Sequence, residues 1–521
     1  MKKLKSVIIV LLWIISPTLV LGQAPLIEWQ RSYGGNGIDG AASIEKTTDG
    51  GFILIGATNS TDQQVSGLHG SFDILVIKID SLGNLVWQKC YGGSGLDGGE
   101  AVKATNDGGY IITGFTESND GDVSGNHGGA GDLWIVKIDS IGQILWQKCY
   151  GGTQGESGYD IQVLPNSQGY LILGITGSND GDVQNLIGSS DIWIIEIDTL
   201  GNIMNEKCFG TIFEDFAFSA KLLQTTDGGL FSSCFSYGGT IYENHSFRHL
   251  KINQLGNQEF FTAYGGSEED EPSSNIQTND ENFVIIGSSR SSDGYVSPVP
   301  DTLYDNIWLI KISSTGTLIW TRTLGGNYSD AGRCLLENQD YEIIIGGNTE
   351  SNNGDLLNAG IHSSAFDWWL SKLDSSGQNI LWSKCYGGSG QDEIEDILAT
   401  DTDGFIGVGS TWSNDGDVSG NHGAMDLWVV KFSNVPTQVS DIAGMNLINV
   451  YPNPFSNYIT VDMPGKSIIT LYLRNTIGQI LTTRIIKHKE VIDLSLLPGG
   501  VYFLEYIVGN KSEIRKIVKV N

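Results

Sequence analysis

A chain of 521 residues is too long for one compact core, and 60 acidic against 30 basic side chains leave it at −30, a charge that repels phosphate backbones and anionic lipid heads. Its 69 glycines, its scarcity of helix formers and its apolar runs of Val, Ile, Thr, Tyr and Trp indicate an all-β protein. Nucleic acid is therefore excluded as a partner, whereas a cation, a basic protein surface or a neutral glycan is tolerated.

The first element is a leader. Lys2, Lys3 and Lys5 precede an apolar run from Val7 to Leu21, and the small residue Gly22 follows. This is the layout of a secretory signal peptide over 1–22, cut between Gly22 and Gln23. With Pro17 in its middle the run is short for a membrane span, and no other stretch is long and apolar enough to cross a bilayer. No transmembrane span is expected in the mature chain.

From residue 23 to 434 the sequence repeats. The phrase "LVWQKCYGG" at 85–93 returns as "ILWQKCYGG" at 144–152 and "ILWSKCYGG" at 380–388. Its Trp slot is held by Trp29, Trp87, Trp146, Asn205, Phe260, Trp320 and Trp382, at intervals of 55 to 62 residues. In each unit four short β-rich runs alternate with turns such as "DGG" and "SLGN", which makes a four-stranded antiparallel sheet. Continuously apolar strands need cover on both faces, and seven twisted sheets packed around an axis provide it: a seven-bladed β-propeller. The last unit lacks its "WQKCYGG" strand, and "IEWQRSYGG" at 27–35 precedes any full unit, so this first strand should complete the last blade. Cys90, Cys149, Cys208 and Cys385 occupy one slot of different units and, with Cys234 and Cys334, are expected as buried free thiols.

Strand order puts the short "DGG" and "SLGN" hairpins on one rim, which reads as replaceable scaffold. The crossovers and the long loops between second and third strands share the other, where binding is expected. Seven acids stand four residues after the second glycine slot: Asp39, Asp97, Glu156, Asp215, Asp270, Asp330 and Asp392. Their sameness suggests loop fixation rather than a site. The "NDGD" loops pair Asp120 with Asp122, Asp180 with Asp182 and Asp415 with Asp417, like the start of a calcium loop but without its third acid and closing Glu. No cofactor is expected, with calcium at these six acids as the alternative. His69, His127 and His422 are too dispersed for zinc. Symmetry breaks in units 4 to 6, where Tyr242, His245, Tyr295, Tyr304 and His362 form a candidate ligand-binding sector.

The repeat, "DGG(F/Y)I…G.T.S.DGDVSG…D.W..K.D", resembles the bacterial secreted seven-bladed β-propeller repeat and, more loosely, kelch and WD-repeat propellers. "TTDGGF" at 47–52 resembles the structural Asp-box turns of sialidases. The resemblance implies a fold and no reaction. No metalloprotease, nucleophile-elbow or P-loop motif occurs, so no catalytic residue is assigned.

After a linker at 435–448, residues 449–521 alternate as a small Ig-like β-sandwich. "YPNPF", "NTIGQ", "IDLSLLPGGVYFL" and "KIVKV" resemble the type A sorting domain of the type IX (Por) secretion system. Pro452, Asn453, Pro454, Gly478, Asp493, Leu494, Pro498, Gly500, Tyr502 and Lys516 fall on that pattern. The resemblance implies handling by the type IX machinery and its sortase, with release or attachment at the outer-membrane surface of a Gram-negative bacterium. The reading is a non-enzymatic, exported binding or adhesion scaffold for an unknown extracellular protein or glycan. The alternative is a secreted carbohydrate-active, glycosidase-like hydrolase.

Overall fold

The computed structural model describes residues 24–165, 168–216, 221–237, 246–296, 303–400, 404–433, 449–451, 455–462, 469–475, 480–486, 489–508 and 511–520. The expected leader, the 435–448 linker, Tyr242, His245, Pro452, Asn453, Pro454 and Gly478 lie outside these residues. The chain divides into two compact units, Met1–Val435 and Pro436–Asn521.

The first unit is a propeller of seven antiparallel sheets, each running from an inner strand through second and third strands to an outer one. In blade 1 these are Asp39–Lys46, Phe52–Thr58, Asp73–Ile79 and Leu85–Tyr91. The burial gradient explains the composition. Third strands such as Asp73–Ile79 and Asp132–Ile138 are buried at every residue, whereas Leu85 and Val86 of an outer strand are exposed. Between neighbouring blades the two faces interlock: Ile53, Ile55 and Val76 of blade 1 share a core with Val102, Ile112 and Trp134 of blade 2. At about 1.5–3 kcal/mol per buried large apolar side chain, these seams hold the ring. All six cysteines are buried and free, as the sequence leads one to expect.

The ring closes through its first strand. Ile27–Tyr33 pairs antiparallel with Asp426–Phe432, completing the sheet of Asp392–Ala399 and Phe405–Thr411. Gln30 accepts the Trp428 indole N–H at 2.9 Å, and Tyr386 donates to the Pro25 carbonyl at 2.7 Å.

One register detail positions the site. In six inner strands the pairing slips by one residue: between Ala41 and Ser43, Gly99 and Ala101, Gly158 and Asp160, Pro272 and Ser274, Gly332 and Cys334, and Ile394 and Asp396. A bulge re-aims the residue it leaves unpaired. Here those residues are Ala42, Glu100, Tyr159, Ser273, Arg333 and Glu395.

The second unit holds a three-stranded and a four-stranded antiparallel sheet. Phe455, Ile459, Leu471, Leu504 and Ile517 belong to one buried core. Tyr502 donates to the Pro498 carbonyl at 2.7 Å, Asp493 accepts the Ser495 N–H at 2.9 Å, and Gly500 opens the strand Gly500–Val508. Lys516 lies in the last strand, Lys511–Lys519. Among the described residues no helix is long and apolar enough to cross a membrane.

Candidate functional site at the axial channel

Five of the six bulge residues, Ala42, Glu100, Tyr159, Arg333 and Glu395, line a cavity of about 330 Å³ on the propeller axis, joined by Lys221 of blade 4. It opens beside Ile38, Phe72, Leu96 and Met425, whose backbones form the bridges Ile38–Met425 and Phe72–Leu96 at the crossover rim. The mouth therefore lies on the rim of long polar loops.

Unlike charges converge there. Enclosure by the inner strands pushes Glu100 and Glu395 up to about 7, against the pull of Lys221 on Glu100 and of Arg333 on Glu395. Both side chains keep some contact with water through the mouth. Lys221 pairs with Asp396 at 3.1 Å, and Asp396 also accepts the Ser43 hydroxyl at 3.0 Å. Among the described residues the buried Nε of Arg333 has no hydrogen-bond partner. A concave site with a few convergent polar groups and displaced pKa values has the character of a binding site.

Sequence reasoning missed these residues because they belong to no motif. The signal was their disagreement: one register slot reads Ala42, Glu100, Tyr159, Ser273, Arg333 and Glu395, while the slot three earlier is acidic throughout.

That acidic slot is structural. Asp97 accepts the Gly93 N–H at 2.7 Å, the Ser118 hydroxyl at 2.8 Å and the Thr116 hydroxyl, tying the crossover to its own blade. Asp39, Asp330 and Asp392 repeat the arrangement.

The "NDGD" acids have different partners within each pair. Asp120, Asp180 and Asp415 accept the N–H groups of Ser94, Thr153 and Ser389 at 2.7–2.8 Å. Asp122, Asp182 and Asp417 face histidines of the preceding blade. His69 binds buried Asp73 through Nδ1 at 2.7 Å and lies 3.9 Å from Asp122 through Nε2. His127 joins Asp132 and Asp182 at 2.6 and 3.9 Å, and His362 joins Asp367 and Asp417 at 3.0 and 3.6 Å. His422 binds Asp426 at 2.6 Å and meets Gln64 across the closing seam at 3.4 Å. Burial raises all four of these aspartates, Asp367 to about 6. Among the described residues no group of three or more His, Cys, Asp or Glu side chains is arranged so as to hold a metal ion.

The aromatic sector is spread along the rim. Tyr295 is exposed and stands perpendicular to Tyr264 at 5.0 Å; Tyr304 is exposed 5.9 Å from Tyr328. His362 belongs to the seam bridges instead, and neither Tyr295, Tyr304 nor His362 lines the axial cavity.

Residues 449–520 match the model of the secretion system C-terminal sorting domain. This chain carries a secretion sorting domain. It is an extracellular β-propeller exported by the type IX system, secreted or held at the outer-membrane surface of a Gram-negative bacterium. No curated protein matches the chain. Among solved structures, the extracellular domain of the putative one component system BT4673 from B. thetaiotaomicron is 11% identical with a TM-score of 0.39, the match covering 93% of this chain and 57% of that one. YCF48 bound to D1 peptide is 10% identical at a TM-score of 0.40, covering 80% and 99%. The A/little yellow-shouldered bat/Guatemala subtype N10 neuraminidase-like protein is 9% identical at 0.34, covering 80% and 100%. No functional statement follows from similarity at that level.

Proposed function

We propose that the exported propeller is a non-enzymatic binding module that seats a sugar residue of an extracellular glycan in the axial cavity. The observation that carries this reading is the convergence of Glu100, Glu395, Lys221 and Arg333, whose Nε has no partner among the described residues, around one opening on the loop rim. Carboxyl groups poised near 7 both donate and accept hydrogen bonds, and Phe115 and Tyr159 add ring surface for a sugar face. Glycoside hydrolysis by a carboxyl pair needs one proton donor and one ionised partner.

In this reading the sortase of the secretion machinery removes the tail after translocation. A glycan array probed with full-length protein and with Arg333→Ala tests the binding role, alongside a screen of chromogenic glycosides. Selective glycan retention that Arg333→Ala abolishes, without turnover, is expected. Turnover that Glu395→Gln removes would replace binding with hydrolysis.

A further inference from the structure

Six of the seven outer strands anchor to the next blade with a ring. The side chains of Trp29, Trp87, Trp146, Phe260 and Trp320 press on the turn glycines Gly83, Gly142, Gly201, Gly316 and Gly377, so closely that an added methyl there would lie 2.5–3.2 Å from the ring. Trp382 is 3% exposed in the next seam. Trp87 and Trp146 also donate their indole N–H to the turn carbonyls of Ser140 and Thr199, at 3.3 and 3.1 Å.

Between blades 3 and 4 the slot holds Asn205, which is exposed, and a methyl on Gly256 would meet nothing within 4 Å. The companion anchor has changed too. Tyr33, Tyr91, Tyr150 and Tyr264 donate to the turn glycine carbonyl at 2.6–2.7 Å, whereas this strand has Phe209, and Lys207 reaches the Gly256 carbonyl at 3.1 Å instead. What remains is a groove of about 270 Å³, floored by Leu171, Ile194, Leu230 and Ile252 and edged by Asn205 and Leu255.

We propose that this groove is a binding site for one tryptophan side chain presented by a partner polypeptide. The occupant follows from the sister seams: the same turn, on the same kind of interblade wall, is covered by an indole in four of them and by a phenyl ring in a fifth. The Gln254 carbonyl stands where Ser140 and Thr199 accept an indole N–H. Lys207 brings an ammonium group to the edge of the groove, favourable to the face of an entering ring. The groove lies at the outer wall and shares no lining residue with the axial cavity.

The test titrates full-length protein with N-acetyl-tryptophanamide and N-acetyl-leucinamide, read by ligand-observed NMR. The tryptophan amide is expected to bind saturably and at least tenfold more tightly than the leucine amide. Asn205→Trp, which supplies the missing ring from within, is expected to weaken that binding at least tenfold and to raise the melting temperature. Leu255→Asp, at an exposed position on the edge, is expected to weaken it at least threefold with melting unchanged. Equal affinity for the two amides, absence of saturation, or undiminished binding by Asn205→Trp would overturn the proposal.

Discussion

Asp107, in the turn of a "DGG" hairpin, does more than shape that turn. It accepts the Gly109 N–H at 3.0 Å and the Thr105 hydroxyl, and it pairs at 2.9 Å with Lys137, which is 3% exposed. Against the upward push of burial, the bonds from Thr105 and Lys137 hold its carboxyl down at about 2. Asp49–Lys78 and Asp227–Lys251 repeat the pair at 2.9 Å. The sequence suggests that this rim is replaceable as far as binding goes, and the buried lysines give it a structural role. Asp107→Ala should destabilise the protein by about 2 kcal/mol in urea unfolding, below the range for a fully buried pair because Asp107 is half exposed. Because its folded pKa is depressed from 3.8 to about 2, the carboxylate's contribution is present above pH 4 and should fade as pH falls toward 2. Glu395 works in the opposite sense. Its folded pKa is raised from 4.5 to about 7, so the penalty for ionising it grows as pH rises across that window. Glu395→Gln should flatten the loss of stability between pH 4.5 and 7, measured as urea midpoints against pH; an unchanged slope would remove Glu395 from the enclosed channel.

At the level of strands, the Ile27–Tyr33 pairing makes a direct prediction. Deleting residues 24–33 leaves the Asp426–Phe432 edge bare and strips the blade 7 side of its cover, so the protein should aggregate or melt far lower by calorimetry. The strands, their order and this closure were legible from period and turn chemistry, because both are local properties of a repeated phrase. The axial residues were not. A bulge is a mismatch between two strands, and nothing in "DGGEAVKA" announces that Glu100 is the residue left over. The histidine bridges escaped for a related reason: His69 and Asp122 belong to different blades, and only the packing of one sheet on the next makes them neighbours. The aromatic rim was chosen where loops diverge, yet the charged cavity arises where the inner strands diverge at a single slot.

For the whole molecule, the sorting domain and the propeller belong to separate compact units. Removing residues 449–521 should leave a folded propeller in the periplasm, seen by cell fractionation; surface display of the truncated protein would contradict the role of the tail. The clasp that closes the ring sets an order in time. Each blade forms from neighbouring hairpins, but Gln30 and Trp428 are 398 residues apart. Closing so long a loop costs about 3 kcal/mol more entropy than closing a hairpin, so the first strand made is the last one seated. Until then blade 7 offers a free edge that a second molecule's first strand fits equally well. Refolding at rising protein concentration should therefore divert chains into strand-exchanged dimers and larger chains of rings, while dilute refolding yields closed monomers.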